Sequence, residues 1–268
     1  MDIKHITQSN RKAWNQATDY HQKARRNALY EGFKDPNFTT LNRDCDDVLH
    51  AKLQSIGLTG KSIAQLPCNN GRELLSLMRL GAKNGVGFDI SDAAIHEARK
   101  LAEIAGCNAI FERTNILEIG SGYDNAFDFI YISEGSLQWF PDLKAYFSIV
   151  FRLLKPGGRI LIFEIHPFAY LFDHGFDPNV PSLDDLGSYF DAGPYHYHDG
   201  LDYVGGTLYP SEECYWFMHT TSGILNAILN SGIELLEIEE YNLEMANDAA
   251  VQAMDKFPLS YIIVGRKT

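Results

Sequence analysis

Paired cysteines, long apolar runs and an excess of positive charge are all missing from this sequence. Its four cysteines (Cys45, Cys68, Cys107 and Cys214) are scattered, with no Cys-x-x-Cys spacing. That distribution predicts free thiols in the reducing cytoplasm rather than a disulfide framework. No segment reaches the roughly 18 consecutive apolar residues of a membrane-spanning helix. The polar N-terminus also lacks the apolar stretch of a signal peptide, so we expect a cytoplasmic protein without membrane partners.

Basic residues are too few to balance the acidic ones. The chain carries 23 Lys and Arg against 35 Asp and Glu, a formal net charge of −12 at pH 7. Such a surface repels phosphate backbones, which predicts that nucleic acid is neither partner nor substrate. The 268 residues, 45% of them hydrophobic, suffice for one large core or a core with a cap.

The glycine fingerprint of dinucleotide-binding proteins, G-x-G-x-x-G, is also absent. In its place, an apolar strand predicted over 62–66 enters the turn Pro-Cys-Asn-Asn-Gly at 67–71. A helix (72–80) and a second strand (85–88) follow, and the second strand ends on Asp89. This is a βαβ nucleotide-binding layout in which a carboxylate can accept hydrogen bonds from a ribose diol. With a single glycine the turn is a poor cradle for a pyrophosphate, which favours a less charged nucleoside.

The turn contains two asparagines where glycines would be easiest. Asparagine tolerates a left-handed backbone better than most residues, so Asn69 and Asn70 can replace glycine there. Beyond the turn, strands and helices alternate as far as a strand at 159–165, and one of those helices is predicted to include Pro141 in its first turn. A helix at 219–231 and two strands, 234–240 and 259–264, complete the pattern.

Four blocks of the chain resemble the class I S-adenosylmethionine-dependent methyltransferases. They are the first motif at 64–71, the strand-ending acid Asp89 within 87–91, the fourth strand at 127–133, and the turn before the fifth strand at 152–159. The resemblance implies an α/β fold: a three-layer, Rossmann-like sandwich with a mostly parallel seven-stranded sheet whose last strand is antiparallel. Pro67 and Asn69 replace family glycines, and Gln65 and Asn115 replace family acids, changes expected to weaken cofactor affinity.

The alternation breaks between 167 and 217, a segment rich in Gly, Pro, Asp and aromatic residues. It is too long for an ordinary connection, which predicts an inserted cap over the site. Residues 1–45 are predicted to form a helical arm that covers the cofactor, and 46–268 the methyltransferase domain that carries the cap.

The resemblance also implies which residues bind S-adenosyl-L-methionine. Asp89 should bind the ribose, the turn at 67–71 should face the methionine part, and Asn115 and Ile116 should lie beside the adenine. The full set of predicted cofactor-binding residues is Tyr20, Pro67, Cys68, Asn69, Gly71, Asp89, Ile90, Asn115, Ile116, Ser133 and Glu134.

Two residues are candidates for catalysis. Glu134 follows the fourth strand, where it could accept a proton or attract the sulfonium; a solvated turn carboxylate is the alternative. His166 follows the fifth strand and could act as a general base near neutral pH, or merely bond the backbone. His196 and His198 would share one face of a strand, but no cysteine completes a ligand set, and we predict no metal.

The predicted function is transfer of a methyl group from S-adenosyl-L-methionine to a small-molecule acceptor by in-line displacement. The main alternative is a regulatory protein that binds the cofactor or a nucleoside without catalysis. A nicotinamide oxidoreductase is disfavoured because the glycine fingerprint is missing. A homodimer is kept as one option for the assembly, although no residue pattern bears on it.

Overall fold

A computed structural model describes residues 2–41, 46–172, 182–243 and 249–268. Two predicted segments are therefore only partly covered: residues 42–45 of the arm and 173–181 of the cap lie outside the described residues. Within the described ranges, no helix combines the length and hydrophobicity needed to cross a bilayer.

Seven strands form the main sheet, in the order β3-β2-β1-β4-β5-β9-β8. Strand β9 pairs antiparallel with both β5 and β8, and the pairs among β1 to β5 are parallel. This confirms the predicted α/β sheet and its antiparallel last strand. The strands are β1 (Ser62–Gln65), β2 (Asn84–Asp89), β3 (Ala109–Arg113), β4 (Phe127–Ile132), β5 (Leu154–Ile165), β8 (Ile233–Tyr241) and β9 (Ser260–Lys267).

Helices cover both faces of the sheet because its central strands are apolar on both faces. In β5, Ile160 and Ile162 belong to one buried cluster, which also contains residues of α6 and α7, whereas Leu161 and Phe163 belong to a second cluster with residues of α3, α4 and α5. These helices are α3 (Asp46–Ile56), α4 (Arg72–Arg79), α5 (Asp92–Ala105), α6 (Leu143–Leu153) and α7 (Thr221–Asn230). The three-layer sandwich follows from this alternation.

Helix α6 starts later than its sequence suggested. Pro141 was expected in its first turn, but the helix begins at Leu143. The reason is Asp142, whose side chain accepts a hydrogen bond from the backbone N–H of Ala145 (3.0 Å) and so takes the N-cap position. Pro141 consequently precedes the N-cap residue and lies outside the helix.

The remaining elements lie over one end of the sheet or beside it. Helix α1 (Ile3–Arg25) packs on α5 and on the hairpin formed by β6 (Tyr195–Tyr197) and β7 (Cys214–Trp216). The Asn10 side chain accepts from the Tyr215 N–H (2.7 Å) and donates to the Tyr215 carbonyl (2.8 Å). Two short helices, α2 (Ala28–Gly32) and α8 (Ala249–Ala253), complete the described structure.

Candidate functional site

A cavity of about 820 Å³ opens at the carboxyl ends of the central strands. One wall consists of the turns that follow β1 to β4. The other consists of α1 and the loop at 197–208. Of the eleven predicted cofactor-binding residues, nine line this cavity: Pro67, Cys68, Asn69, Asp89, Ile90, Asn115, Ile116, Ser133 and Glu134. Ligands of open α/β sheets bind at such strand ends.

A left-handed backbone was predicted for the two asparagines of the turn after β1, and one of them adopts it. Asn69 is left-handed (φ 47°), and so is Gly71 (φ 75°), whereas Asn70 is not. Gly71 itself is not among the residues that line the cavity. A Cβ placed there would come 2.4 Å from the Phe111 ring, so the glycine allows α4 to pack closely on the sheet.

Asp89 joins the ends of β1 and β2. One carboxylate oxygen accepts the Asn69 N–H (2.8 Å) and the other accepts the Ser91 N–H (2.9 Å). The side chain is 8% exposed, and burial raises the pKa of its carboxyl while these N–H groups oppose that rise. A carboxylate has about four acceptor positions, so acceptors remain for a ribose diol.

The predicted adenine region is formed by the turn after β3. The Asn115 side chain accepts from the Leu117 N–H (3.2 Å) and donates to Glu118 (3.3 Å), capping a short 3₁₀ helix. Ile116 is 3% exposed and lies in the core beneath the cavity. One face of the site is thus apolar, and its edge carries an amide.

Glu164 holds the turn after β4 in place, a role that the sequence analysis did not assign. Its carboxylate accepts the backbone N–H groups of Gly135, Ser136 (2.8 Å) and Leu137 (3.0 Å). Burial raises the pKa of Glu164 to about 7, and the backbone donors oppose the rise. The sequence did contain a signal for this role, because Glu164 is the only acid in the apolar run of β5 and a buried charge needs hydrogen-bond partners.

A charged end of the cavity was also missed. Arg25 from α1 and Arg72 from α4 both line it, together with Glu73 and Tyr203. Arg72 lies 3.4 Å from the Glu73 carboxylate. Burial and the positive charge of Arg72 lower the pKa of Arg25, which also bonds the Tyr203 hydroxyl. The two guanidinium groups therefore lie near each other, an arrangement that favours an anion between them.

An aromatic contact joins the two walls, and a hydrogen bond joins α1 to the loop at 197–208 within one wall. Trp14 of α1 contacts Trp139 edge to face, with ring centroids 5.2 Å apart. The buried ring of His21 bonds the Leu201 carbonyl (2.9 Å), and burial lowers the pKa of His21 to about 4. Helix α1 is thereby attached to the loop that closes the cavity.

Besides Gly71, two predicted residues, His166 and Tyr20, lie away from the cavity lining. His166 is 1% exposed; its Nε2 is 3.0 Å from Glu240, and its Nδ1 accepts the Phe168 N–H (3.1 Å). Burial lowers the pKa of His166, and Glu240 opposes that shift. Tyr20 stacks on Tyr209, with ring centroids 3.9 Å apart. Neither side chain therefore lines the cavity.

Comparison with known proteins points to one kind of domain. A family model described as a methyltransferase domain matches residues 63–158. "Methyltransferase phqN" from Penicillium fellutanum is 28% identical over 68% of this chain and 48% of its own length. A demethylmenaquinone methyltransferase from Lactococcus lactis is 32% identical over 45% of this chain and 48% of its own length. The chain thus spans about half the length of these relatives.

Solved structures share the fold. An S-adenosylmethionine-dependent methyltransferase from Mesorhizobium loti superposes with a TM-score of 0.60 at 19% identity, covering 81% of this chain and 96% of that one. At this level of identity the likeness concerns the fold alone.

Proposed function

We propose that this chain is a class I S-adenosylmethionine-dependent methyltransferase that transfers the methyl group of S-adenosyl-L-methionine to a small molecule. The observation that carries the proposal is the position of Asp89. It lies at the carboxyl end of β2 in a cavity that also exposes the turns after β1, β3 and β4. Ribose, adenine and methionine parts then have separate neighbours along one wall.

The nucleoside lies across the ends of β2 and β3. Asp89 accepts hydrogen bonds from the ribose hydroxyls, and Ile90 lies next to it in the same wall. Ile116 covers a face of the adenine, and Asn115 presents its amide at the edge. The Cys68 thiol is buried in the turn that faces the methionine part, and burial raises its pKa well above its usual range, so it remains neutral.

The methionine part is a zwitterion, and the charged end of the cavity is complementary to it. Arg25 and Arg72 supply the positive groups for its carboxylate. Glu73 and Glu134, on the same wall, supply negative charge for its ammonium group and for the sulfonium. The hydroxyl of Tyr203, in the loop at 197–208, donates a hydrogen bond to the methionine part. This arrangement orients the cofactor along the strand ends.

The acceptor occupies the space beyond the sulfonium. Ligand pockets are typically about 300–1,000 Å³, so a cavity of about 820 Å³ has room for a second small molecule beside the cofactor. Trp139, Phe140 and Tyr170 line that space. A lone pair on the acceptor attacks the methyl carbon, and the carbon–sulfur bond breaks with its electrons returning to sulfur. The protein contributes mainly position, and Glu134 can take the proton that the acceptor releases.

The small-molecule class of the acceptor is supported by three observations. The chain carries a formal net charge of −12, aromatic side chains line part of the cavity, and one relative is named for demethylmenaquinone. Buried free thiols at Cys68 and Cys214 support a reducing, cytoplasmic location. None of the matched proteins supports the non-catalytic alternative.

Calorimetric titration with S-adenosyl-L-methionine and its demethylated product tests the proposal. We expect the intact chain to bind both and the Asp89→Asn variant to lose at least about 100-fold in affinity, because hydrogen bonds to a charged group contribute about 1.5–3 kcal/mol each. Asp92→Asn is the matched control, since Asp92 is half exposed and pairs with Arg11 (2.7 Å). No binding by the intact chain, or equal binding by the Asp89 variant, contradicts the proposal.

A further inference from the structure

The outer face of the β6–β7 hairpin brings three metal-binding side chains together. In the antiparallel register, His196 pairs with Tyr215 and Tyr197 with Cys214. His198 directly follows β6, and Glu213 directly precedes β7. Since side chains alternate between the faces of a strand, His196, His198, Tyr215 and Glu213 share one face. Both histidines are exposed, and Glu213 is about one-third exposed.

The ligand atoms converge on one point. His196 Nδ1 lies 3.2 Å from His198 Nε2 and 3.3 Å from Glu213 Oε1. His198 Nε2 lies 3.9 Å from the same carboxylate oxygen. Together they offer two imidazole nitrogens and one carboxylate oxygen, a donor set that suits zinc and its first-row neighbours.

From this geometry we infer that His196, His198 and Glu213 form a binding site for a divalent transition-metal ion, most closely matched to zinc. In a tetrahedral zinc site with bonds of about 2.0–2.2 Å, two ligand atoms are about 3.3–3.6 Å apart. Of the three separations, 3.3 Å lies within that range, 3.2 Å is about 0.1 Å below it and 3.9 Å is about 0.3 Å above it. An ion can therefore enter with little movement of the side chains, and water completes its fourth position.

Neighbouring groups hold the ligands in this geometry. The Tyr215 hydroxyl donates to the other oxygen of Glu213, as the outer-shell partners of metal ligands do. The Glu213 carbonyl accepts a bond from the Ser9 hydroxyl (2.5 Å), and Asn10 bonds both backbone groups of Tyr215. The segment that carries Glu213 is thus hydrogen-bonded to α1 independently of a bound ion.

The site is separate from the cofactor cavity. Its ligands lie on the outer face of the hairpin, whereas Tyr197, on the opposite face, lines the cavity. A bound ion would link β6 to β7 and so stiffen a hairpin that contributes to the cap. Pattern alone predicted no metal here, because the third ligand comes from the neighbouring strand.

Titration of the full chain with Co²⁺, followed by Zn²⁺ competition, tests the inference. We expect uptake of one cobalt ion per chain with the intense visible absorption of four-coordinate cobalt, and its loss when zinc displaces it. His196→Ala, His198→Ala and Glu213→Gln should each weaken binding at least about tenfold, and Tyr215→Phe, which removes an outer-shell partner, about tenfold. The readout is metal binding, so it is independent of methyl transfer.

The matched control is His96→Ala, since His96 is an exposed histidine on α5 outside the cluster. It should bind cobalt like the intact chain. Far-UV circular dichroism of each variant checks that the fold is retained, as expected for exposed side chains. No uptake by the intact chain, or an unchanged cobalt spectrum in all three ligand variants, would overturn the inference.

Discussion

The two walls of the cavity are assembled in different ways. The sheet wall consists of four short turns, each of which follows its strand directly and supplies neighbouring residues, such as 67–70 and 133–136. The cap wall joins α1 to the loop at 197–208, segments that are far apart along the chain and meet through contacts such as His21 with Leu201. Each turn of the sheet wall is therefore formed by residues that are adjacent in sequence, whereas the cap wall forms only when distant segments pack together.

The two walls also differ in the chemical groups that they contain. The sheet wall contains Asp89, the residue proposed to bind the ribose, and its turns are held by the buried carboxylates of Asp89 and Glu164. The cap wall contributes Arg25, Trp14 and Tyr203 to the cavity lining, and these residues are proposed to contact the methionine part and the acceptor. Loss of a sheet-wall group should therefore affect every ligand that contains the nucleoside, and loss of a cap-wall group only some of them.

The largest effect is expected for Glu164→Gln, which tests how the sheet wall is held. The folded-state pKa of Glu164 is raised to about 7 from an ordinary value of 4.5. The folded chain therefore keeps a proton that the unfolded chain loses between these values, and stability falls as pH rises through that window. Relative to the variant, the free energy of unfolding of the intact chain should fall by about 3 kcal/mol between pH 4 and 8.

Denaturant unfolding at several pH values measures this difference. Glu234→Gln is the matched control, because Glu234 is an exposed strand carboxylate paired with Arg266 (2.6 Å). If the intact chain instead gained stability relative to the variant as pH rose, the backbone donors would outweigh burial and the carboxylate would be charged throughout.

Arg25→Gln tests the contribution of the cap wall to the cofactor. We expect S-adenosylhomocysteine to bind about 30-fold more weakly, about 2 kcal/mol, because one charged hydrogen-bond donor is lost. Binding of 5′-methylthioadenosine, which lacks the amino-acid part, should not change, whereas Asp89→Asn should weaken both ligands. The exposed neighbour Arg26 provides the control variant, Arg26→Gln. Equal weakening of both ligands by Arg25→Gln would place Arg25 elsewhere in the site.

Asn10→Ala should loosen the cap wall while leaving the sheet wall intact. It removes both hydrogen bonds to the Tyr215 backbone, at a cost of about 1–2 kcal/mol. Hydrogen exchange should accelerate at the Tyr215 amide and stay unchanged in β1 and β2. Asn84→Ala, at an exposed position, is the control. Uniform acceleration across the sheet would mean that the cap does not open separately.

The smallest effect is expected for His166→Gln. Because His166 lies outside the cavity lining, the rate of methyl transfer should change by less than about twofold. A general base contributes about 10²–10⁴-fold to a rate, so a loss of that size would restore His166 to the mechanism. Glu134→Gln, which alters a carboxylate that does line the cavity, is the comparison in the same assay.

Sequence reasoning found the sheet wall almost completely. Most strand boundaries agree with the structure within three residues, because the alternation of apolar residues is local. The exception is β5, which begins at Leu154, five residues before its predicted start at 159. Asp89 and the turn at 67–71 were identified because a βαβ unit places its strand-ending acid and its turn at the same edge. Asn69 adopts the left-handed backbone that its side-chain chemistry allows.

The residues that escaped sequence reasoning depend on pairings between distant segments. Glu164 acquires its role from a turn about thirty residues earlier, and Arg25 enters the site only because α1 packs on α5 and β7. Glu213 lies beside the two histidines because β6 pairs with β7, and the spacing of residues along the sequence does not reveal that pairing. The sequence by itself determined the α/β alternation and the turns of the sheet wall, since neighbouring residues set the periodicity and the turn chemistry. Only the tertiary structure decided the cap wall and the histidine–glutamate cluster, because long-range contacts depend on which faces pack together.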